Sequence, residues 1–250
     1  MSDLKRFFLT LLRLLKRLSK ARAGAGGNAE ARETEPSRER PVPAAEGHPP
    51  EGRDDSPADP PPPAAGAPDP ASHPSGIAVA ISSGHGARIS GAVGVLNEVV
   101  EARRVVTEVA RLLREMGACV HEFHDDESTT VAANIGAIVG WHNSRERDID
   151  VSVHFNAFRP TDGPMGTEVL HLAEKDAAAA LSRAMAAAAG FRDRGAKFRD
   201  DLGFLNRAAK PAVLLEVCFV DSAEDARLYL ANFDAVCRAI AETLREPPIK

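Results

Sequence analysis

The distribution of proline divides this chain into two parts with different capacities to fold. Thirteen of its eighteen prolines precede Gly76, and the aromatic residues in that stretch are limited to Phe7 and Phe8. A segment so poor in large apolar side chains cannot bury a core. From Ile77 to Arg245, in contrast, Val, Ile, Leu and Ala recur at regular intervals. About 170 residues suffice for one compact domain, so we expect the folded domain to span residues 77–246.

Residues 1–22 are predicted to form a basic amphipathic helix. They carry seven Lys or Arg and one Asp, a net charge of +6. Their apolar side chains follow the spacing of one helical face. Such a helix favours attachment of residues 4–18 to an anionic membrane surface or docking on a protein partner, and the alternative is a solvated helix. The uncharged run at residues 7–12 is too short for a membrane span or a signal-peptide core.

Residues 23–76 are predicted to be a disordered acidic linker rich in Pro and Ala. This stretch contains ten Asp or Glu and four Arg, and Pro60–Pro63 is an unbroken proline run. The whole chain has a net charge of −5, which does not favour binding to nucleic acid. The cysteines show no CxxC spacing and are predicted to be core thiols: Cys119, Cys218 and Cys237.

Predicted strands and helices alternate along the second part. This pattern is typical of an α/β fold with a mostly parallel twisted sheet and helices on both faces, here a single catalytic domain after a disordered N-terminal tail. The apolar runs predict strands at residues 77–81, 118–123, 149–153, 166–172 and 212–217. Helical spacing predicts helices at residues 96–116, 131–142, 175–189 and 223–244.

Ionisable side chains follow or end three of these strands. His85 comes after the first strand, His154 lies near the end of the third, and Glu216 lies in the last apolar run. Functional groups in parallel sheets gather at the carboxyl ends of the strands. Two imidazoles and a carboxylate suit a Zn²⁺ site with an open position for water. Glu216 fits either the third ligand or a general base, and Glu98 and Glu101 compete for the ligand role, which spacing alone does not decide.

Four short motifs follow one another along the predicted domain. They are Gly84-His85-Gly86, Gly91-Ala92-Val93-Gly94-Val95-Leu96-Asn97-Glu98, Ser152-Val153-His154-Phe155-Asn156 and Leu214-Leu215-Glu216-Val217-Cys218-Phe219. Together they resemble the motifs of the zinc-dependent N-acetylmuramoyl-L-alanine amidases of the type-3 class, especially the phage endolysin members. The resemblance extends from Ile77 to Leu244. One departure is the pair Ser82-Ser83, because the family often has Asp-Pro before this Gly-His.

The resemblance implies a set of roles for these residues. His85, Glu98 and His154 would hold zinc and Glu216 would be the catalytic carboxylate, which favours Glu98 over Glu101. The implied reaction is hydrolysis of the amide bond between N-acetylmuramic acid and L-alanine in peptidoglycan. Zinc would polarise the carbonyl and acidify a water molecule, and the carboxylate would move the proton to the departing amine.

Asn156, Arg194 and Lys197 are assigned to substrate binding. The two basic residues suit contact with an anionic stem peptide, and a solvated basic loop is the alternative. Two other functions stay open: a non-catalytic peptidoglycan-binding or regulatory domain, and a zinc hydrolase of another peptidoglycan amide. Location also stays open, since the substrate lies outside the cytoplasmic membrane and the sequence shows no convincing signal peptide. The enzyme either stays in the cytoplasm until lysis or is exported by another route.

Overall fold

The computed structural model describes residues 76–246. The predicted amphipathic helix and the predicted linker up to residue 75 lie outside these described residues, as does the stretch 247–250. Within the described part, no helix is both long and apolar enough to cross a membrane.

Strands and helices alternate through the described residues. The strands are β1 (Ala78–Ser83), β2 (Cys119–Phe123), β3 (Ile149–Asn156), β4 (Thr167–His171), β5 (Asp193–Phe198) and β6 (Ala212–Phe219). The helices are α1 (Glu98–Glu115), α2 (Val131–Asn143), α3 (Lys175–Ala189), α4 (Gly203–Arg207), α5 (Ala223–Ala231) and α6 (Phe233–Arg245).

All six strands form one sheet in the order β2-β1-β3-β6-β4-β5. Neighbouring strands are parallel except for β4, which runs antiparallel to β6. The prediction of a mostly parallel sheet is therefore confirmed. Because β1, β3 and β6 are adjacent and parallel, their carboxyl ends meet at one edge of the sheet. The register between β3 and β6 shifts between His154 and Asn156, at that same edge.

The strands place alternate side chains on two different faces, as the pleat requires. In β3, Val151, Val153 and Phe155 belong to the large apolar core, which α1, α3, α5 and α6 complete. Helices α2 and α4 contribute instead to a smaller cluster that includes Leu214 of β6 and Leu170 of β4. Helices thus cover both faces, as the sequence predicts.

Three details differ from the sequence-based expectation. The helix predicted at residues 223–244 is divided at Asn232, which ends α5 and begins α6. Strand β5 and the short helix α4 occupy stretches with no predicted element. Strand β5 lies at the edge of the sheet and its residues are exposed or half-buried, so it lacks the continuous apolar run that identifies the central strands.

Candidate metal centre

Three side chains from distant parts of the sequence meet at the carboxyl edge of the sheet. His85 follows β1, Glu98 is the first residue of α1, and His154 lies in β3. Nδ1 of His154 lies 3.2 Å from Oε1 of Glu98, and Nε2 of His85 lies 3.4 Å from the same oxygen. Among the described residues, these three form the group whose ligand atoms all lie within 4.8 Å of one another.

The spacing and chemistry of these donor atoms fit a tetrahedral metal site. Ligand bonds of about 2.0–2.2 Å place neighbouring donor atoms roughly 3.3–3.6 Å apart. The two distances to Glu98 Oε1, 3.2 and 3.4 Å, are close to this range. Two imidazole nitrogens and one carboxylate oxygen form a donor set that Zn²⁺ accepts. The donor set is therefore suited to a divalent cation.

The backbone holds Glu98 in place from two sides. The N–H group of Ala92 donates to Oε2 at 2.6 Å, and that of Phe155 donates to Oε1 at 3.1 Å. Burial opposes ionisation of Glu98. Hydrogen bonds and charge attraction from His154 and His85 outweigh that effect and hold the pKa of this carboxyl well below its ordinary value. Glu98 is thus an ionised, oriented carboxylate.

Gly84 is required beside His154 for a steric reason. A Cβ atom added to Gly84 would lie 1.7 Å from Nε2 of His154. Real Cβ atoms do not approach other atoms so closely, so only glycine leaves room for this imidazole. The carbonyl of Gly84 also accepts a hydrogen bond from Nδ2 of the buried Asn134 at 2.8 Å. Gly84 precedes His85 in the sequence, but it provides the space that the imidazole of His154 occupies.

The competing carboxylate Glu101 lies outside the cluster. It accepts hydrogen bonds from the Tyr229 hydroxyl at 2.9 Å and from Arg104 Nη1 at 2.6 Å. Tyr229 belongs to α5 and to the large apolar core. Glu101 therefore connects α1 to α5, whereas Glu98, three residues earlier, faces the two histidines.

Glu216 lies in the middle of the sheet, next to the cluster. It is the register partner of His154 in β3 and of Glu168 in β4, and it is only 1% exposed. Burial raises the pKa of Glu216 well above its ordinary value, and the charges of Glu98 and Glu168 add to the increase, which Arg199 partly offsets. A buried carboxyl with a raised pKa beside potential metal ligands suits proton transfer.

Two of the residues assigned to substrate binding make contacts inside the domain. Nδ2 of Asn156 donates to Oε1 of Glu168 at 3.0 Å, and Nε of Arg194 donates to Oε2 at 2.6 Å. The guanidinium of Arg194 also lies 5.0 Å from the ring centre of Phe219. Lys197 is half-buried on β5. Nothing in the sequence points to Glu168, because it lies within a predicted strand whose pattern gives no indication of these partners.

Comparison with known proteins identifies a family for the described domain. The family model described as "N-acetylmuramoyl-L-alanine amidase" matches residues 79–246, which is more than half of the chain. Among curated proteins, an uncharacterized protein of Clostridium perfringens (strain 13 / Type A) is 27% identical over 180 residues, covering 69% of this chain and 52% of the relative. The chain spans about half the length of the curated relatives it matches.

Solved structures share the same fold. The catalytic domain of the CD27L endolysin targeting Clostridia Difficile has a TM-score of 0.62 and 24% identity, covering 70% of this chain and 99% of that one. The catalytic domain of CwlV, an N-acetylmuramoyl-L-alanine amidase from Bacillus (Paenibacillus) polymyxa var. colistinus, has a TM-score of 0.59 and 26% identity. There the alignment covers 67% of this chain and 96% of that one.

Proposed function

This chain belongs to the N-acetylmuramoyl-L-alanine amidase family, and we propose that its domain hydrolyses the amide bond between N-acetylmuramic acid and L-alanine in peptidoglycan with a bound zinc ion. The observation that carries the proposal is the meeting of His85, Glu98 and His154 beside the buried Glu216. This is a constellation of metal ligands with an adjacent acid–base group, and hydrolysis of an amide needs both.

Three donor atoms would hold the zinc ion: Nε2 of His85, Oε1 of Glu98 and Nδ1 of His154. Their number leaves one tetrahedral position for water or substrate, as in catalytic zinc sites. The metal would supply Lewis acidity for the scissile carbonyl and acidify the attacking water. His85 is the more accessible of the two imidazoles, with 18% of its side chain exposed, so substrate would approach from its side.

Glu216 would move the proton. Its carboxylate would take a proton from the attacking water as the C–O bond forms, and would deliver it to the nitrogen of L-alanine as the C–N bond breaks. Burial raises its pKa, and a proton-transfer group works best when its pKa lies near the working pH. Asn156 and Arg194 would support this site indirectly, by holding Glu168 beside Glu216. Lys197 stays a candidate for contact with the stem peptide.

Product analysis on purified cell wall tests the activity. The zinc-loaded full chain is expected to release new L-alanine amino termini. Glu216→Gln is expected to keep zinc and to lose about 10²- to 10⁴-fold in rate. Glu115→Gln, at the far end of α1, is the matched control and should retain full activity. A fully active Glu216→Gln would show that another group moves the proton.

The same assay separates the other functions. Binding to cell wall without any new amino termini would mean a non-catalytic peptidoglycan-binding domain. New termini other than L-alanine would mean a hydrolase of a different peptidoglycan amide. Either outcome would overturn the proposed activity.

The predicted docking of residues 4–18 needs a separate test, because this segment lies outside the described residues. We expect deletion of residues 1–22 to move the protein from the membrane-associated to the unattached fraction of lysed cells. An unchanged distribution would argue against membrane attachment and would favour docking on a protein partner or the solvated-helix alternative.

A further inference from the structure

A buried polar network lies on the same sheet face as the candidate metal centre, in the direction of the amino ends of the strands. Asp150 of β3 accepts two hydrogen bonds from Arg147, each of 2.8 Å. Its Oδ1 also lies 2.8 Å from Nδ1 of His142, whose Nε2 lies 2.9 Å from the hydroxyl of Ser82. Asp150, His142 and Ser82 are completely buried. We call Arg147, Asp150, His142, Ser82 and Ser152 the polar column.

The column ends beside His154 through two serines. Ser82 of β1 and Ser152 of β3 are register partners on adjacent parallel strands. Side chains of register partners lie on the same face of a sheet and next to each other. The hydroxyl of Ser152 lies 3.1 Å from Nε2 of His154. Polar groups therefore follow one another from Arg147 to the imidazole of His154.

The two nitrogens of His154 have different surroundings. Nδ1 faces Glu98 Oε1 at 3.2 Å, within the cluster of potential metal ligands. Nε2 faces Ser152 and lies against Gly84, where even a Cβ atom would approach to 1.7 Å. Gly84 and Ser152 crowd the Nε2 edge, and Nδ1 is the nitrogen that faces the carboxylate of Glu98. An Nδ1 ligand must carry a lone pair, so Nε2 carries the proton in the neutral ring.

The chemistry of Asp150 fixes the direction of its hydrogen bond with His142. Burial opposes its ionisation, but hydrogen bonds from His142 and Arg147 outweigh this and lower the pKa of Asp150 below its ordinary value. An ionised carboxylate only accepts hydrogen bonds, so Nδ1 of His142 donates. Nε2 of His142 shares the next hydrogen bond, of 2.9 Å, with the Ser82 hydroxyl. Ser82 lies beside Ser152 on the neighbouring strand, and the hydroxyl of Ser152 lies 3.1 Å from Nε2 of His154, where it can accept the proton of that nitrogen.

We propose that the polar column is a positioning device for His154. In this arrangement Ser152 accepts the Nε2 proton and keeps the ring in the tautomer and orientation that aim Nδ1 at the metal. The other residues of the polar column hold the Ser152 hydroxyl in the orientation that accepts this proton. The inference rests on the proposed function, because it concerns the metal that His85, Glu98 and His154 would bind.

Zinc affinity of the full chain, measured by competition with a chromophoric chelator, tests the role of Ser152. We expect Ser152→Ala to weaken zinc binding about 10- to 100-fold, as is typical for partners of ligating histidines. Ser152→Thr retains the hydroxyl and should bind zinc within about threefold of the wild type. A cavity of about 30 Å³ borders Ser152, on the side where the extra methyl could be accommodated.

Ser182→Ala is the matched control. Ser182 is also completely buried, and it accepts a hydrogen bond from the Gly195 N–H group and donates to Asp193, away from the metal centre. The control loses a buried hydroxyl but should keep wild-type zinc affinity. The d–d spectrum of the Co²⁺-loaded protein provides a second measurement, which should change in Ser152→Ala and not in Ser182→Ala.

A double-mutant cycle with His142 and Ser152 tests whether His142 affects zinc binding through Ser152. His142→Gln alone should weaken zinc binding by about tenfold or less. In the Ser152→Ala background it should cause no further loss, because the connection to His154 is already broken. Additive losses would show that His142 does not act through Ser152 and would overturn the column as a unit.

The outcomes separate this inference from the proposed function. If the wild type binds no zinc, the proposed metal-dependent function is wrong. If the wild type binds zinc and Ser152→Ala binds it equally well, only the positioning role is wrong. The positioning role is also wrong if Ser152→Ala and Ser152→Thr weaken zinc binding equally. The Ser152 hydroxyl, which Ser152→Thr retains, would then not be the group that determines zinc affinity.

Discussion

The two faces of the central sheet are built by the same strands and serve different purposes. Toward α1, α3 and α6, β3 presents Val151, Val153 and Phe155, all of them completely buried in the large core. Toward α2, the intervening positions are Asp150, Ser152 and His154. Burying such polar groups costs free energy unless they are hydrogen-bonded. Hydrogen bonds satisfy these groups here. The first face therefore contributes apolar burial, and the second contributes a defined arrangement of hydrogen-bonded polar groups.

Breaking the ion pair on the polar face should have the largest effect on stability. Asp150→Asn leaves Arg147 buried beside a neutral amide, and we expect it to lower the free energy of unfolding by about 3–5 kcal/mol at pH 7. The folded-state pKa of Asp150 is lowered, so its contribution is present above its ordinary pKa and disappears as the pH falls through the folded-state value.

Urea unfolding at several pH values measures this effect. The difference between wild type and Asp150→Asn should narrow as the pH falls below about 4. Asp200→Asn, on the surface, should show no such difference. A constant difference across the pH range would mean that the charge of Asp150 does not stabilise the fold.

A cavity in the apolar face should reduce the stability of the fold and leave zinc affinity unchanged. Leu113 of α1 is completely buried in the large core, and Leu113→Ala should lower the free energy of unfolding by about 2–5 kcal/mol. The same change at the exposed Leu230 should stay within about 0.5 kcal/mol. Zinc affinity should be unchanged in both variants. A weaker zinc site in Leu113→Ala would show that the two faces are coupled.

A methyl group at Gly84 should disturb the metal centre specifically. The new Cβ would collide with the ring of His154, so we expect Gly84→Ala to weaken zinc binding at least about 100-fold, equivalent to roughly 2.7 kcal/mol. Gly136 in α2 has open space at its Cβ position. Gly136→Ala should therefore keep zinc affinity and gain up to about 1 kcal/mol of stability. Calorimetric titration with zinc distinguishes the two variants.

The smallest effect is expected at the start of α2, the helix that covers the polar face. Thr130 accepts a hydrogen bond from the Ala133 N–H group at 3.2 Å as the N-cap of this helix. Thr130→Ala should cost about 1 kcal/mol in thermal or urea unfolding. Thr130→Ser retains the capping oxygen, and Ser is at least as good an N-cap as Thr, so its stability should stay within about 0.5 kcal/mol of the wild type. Equal losses in both variants would mean that the side-chain oxygen does not cap α2.

Sequence periodicity predicts the central elements well because the core imposes it. The continuous apolar runs of β1 and β6, and the Ala-rich composition of α3 with Gly190 after it, identify these elements close to their observed bounds. Strand β5 carries no such run because its side chains are exposed or half-buried. The division at Asn232 was missed as well, since apolar spacing continues on both sides of it.

The candidate site was predictable only in part. His85, Glu98, His154 and Glu216 were all named from the sequence, and the structure brings them together. Asn156 and Arg194 were also named, but their contacts with Glu168 depend on pairing between distant strands. The polar column was missed for the same reason. Ser82 lies 60 residues before His142, and neither these two residues nor Asp150 carries a local signal of the contacts between them.

The order of residues alone determined the folded portion, the alternation of strands and helices, and the candidate ligands, because apolar periodicity and short motifs are local properties. Tertiary structure decided which carboxylate faces the histidines, which nitrogen of His154 is accessible, and which polar side chains turn inward. Those outcomes depend on strand register and on contacts of a few ångströms between residues separated by dozens of positions, which no local pattern encodes.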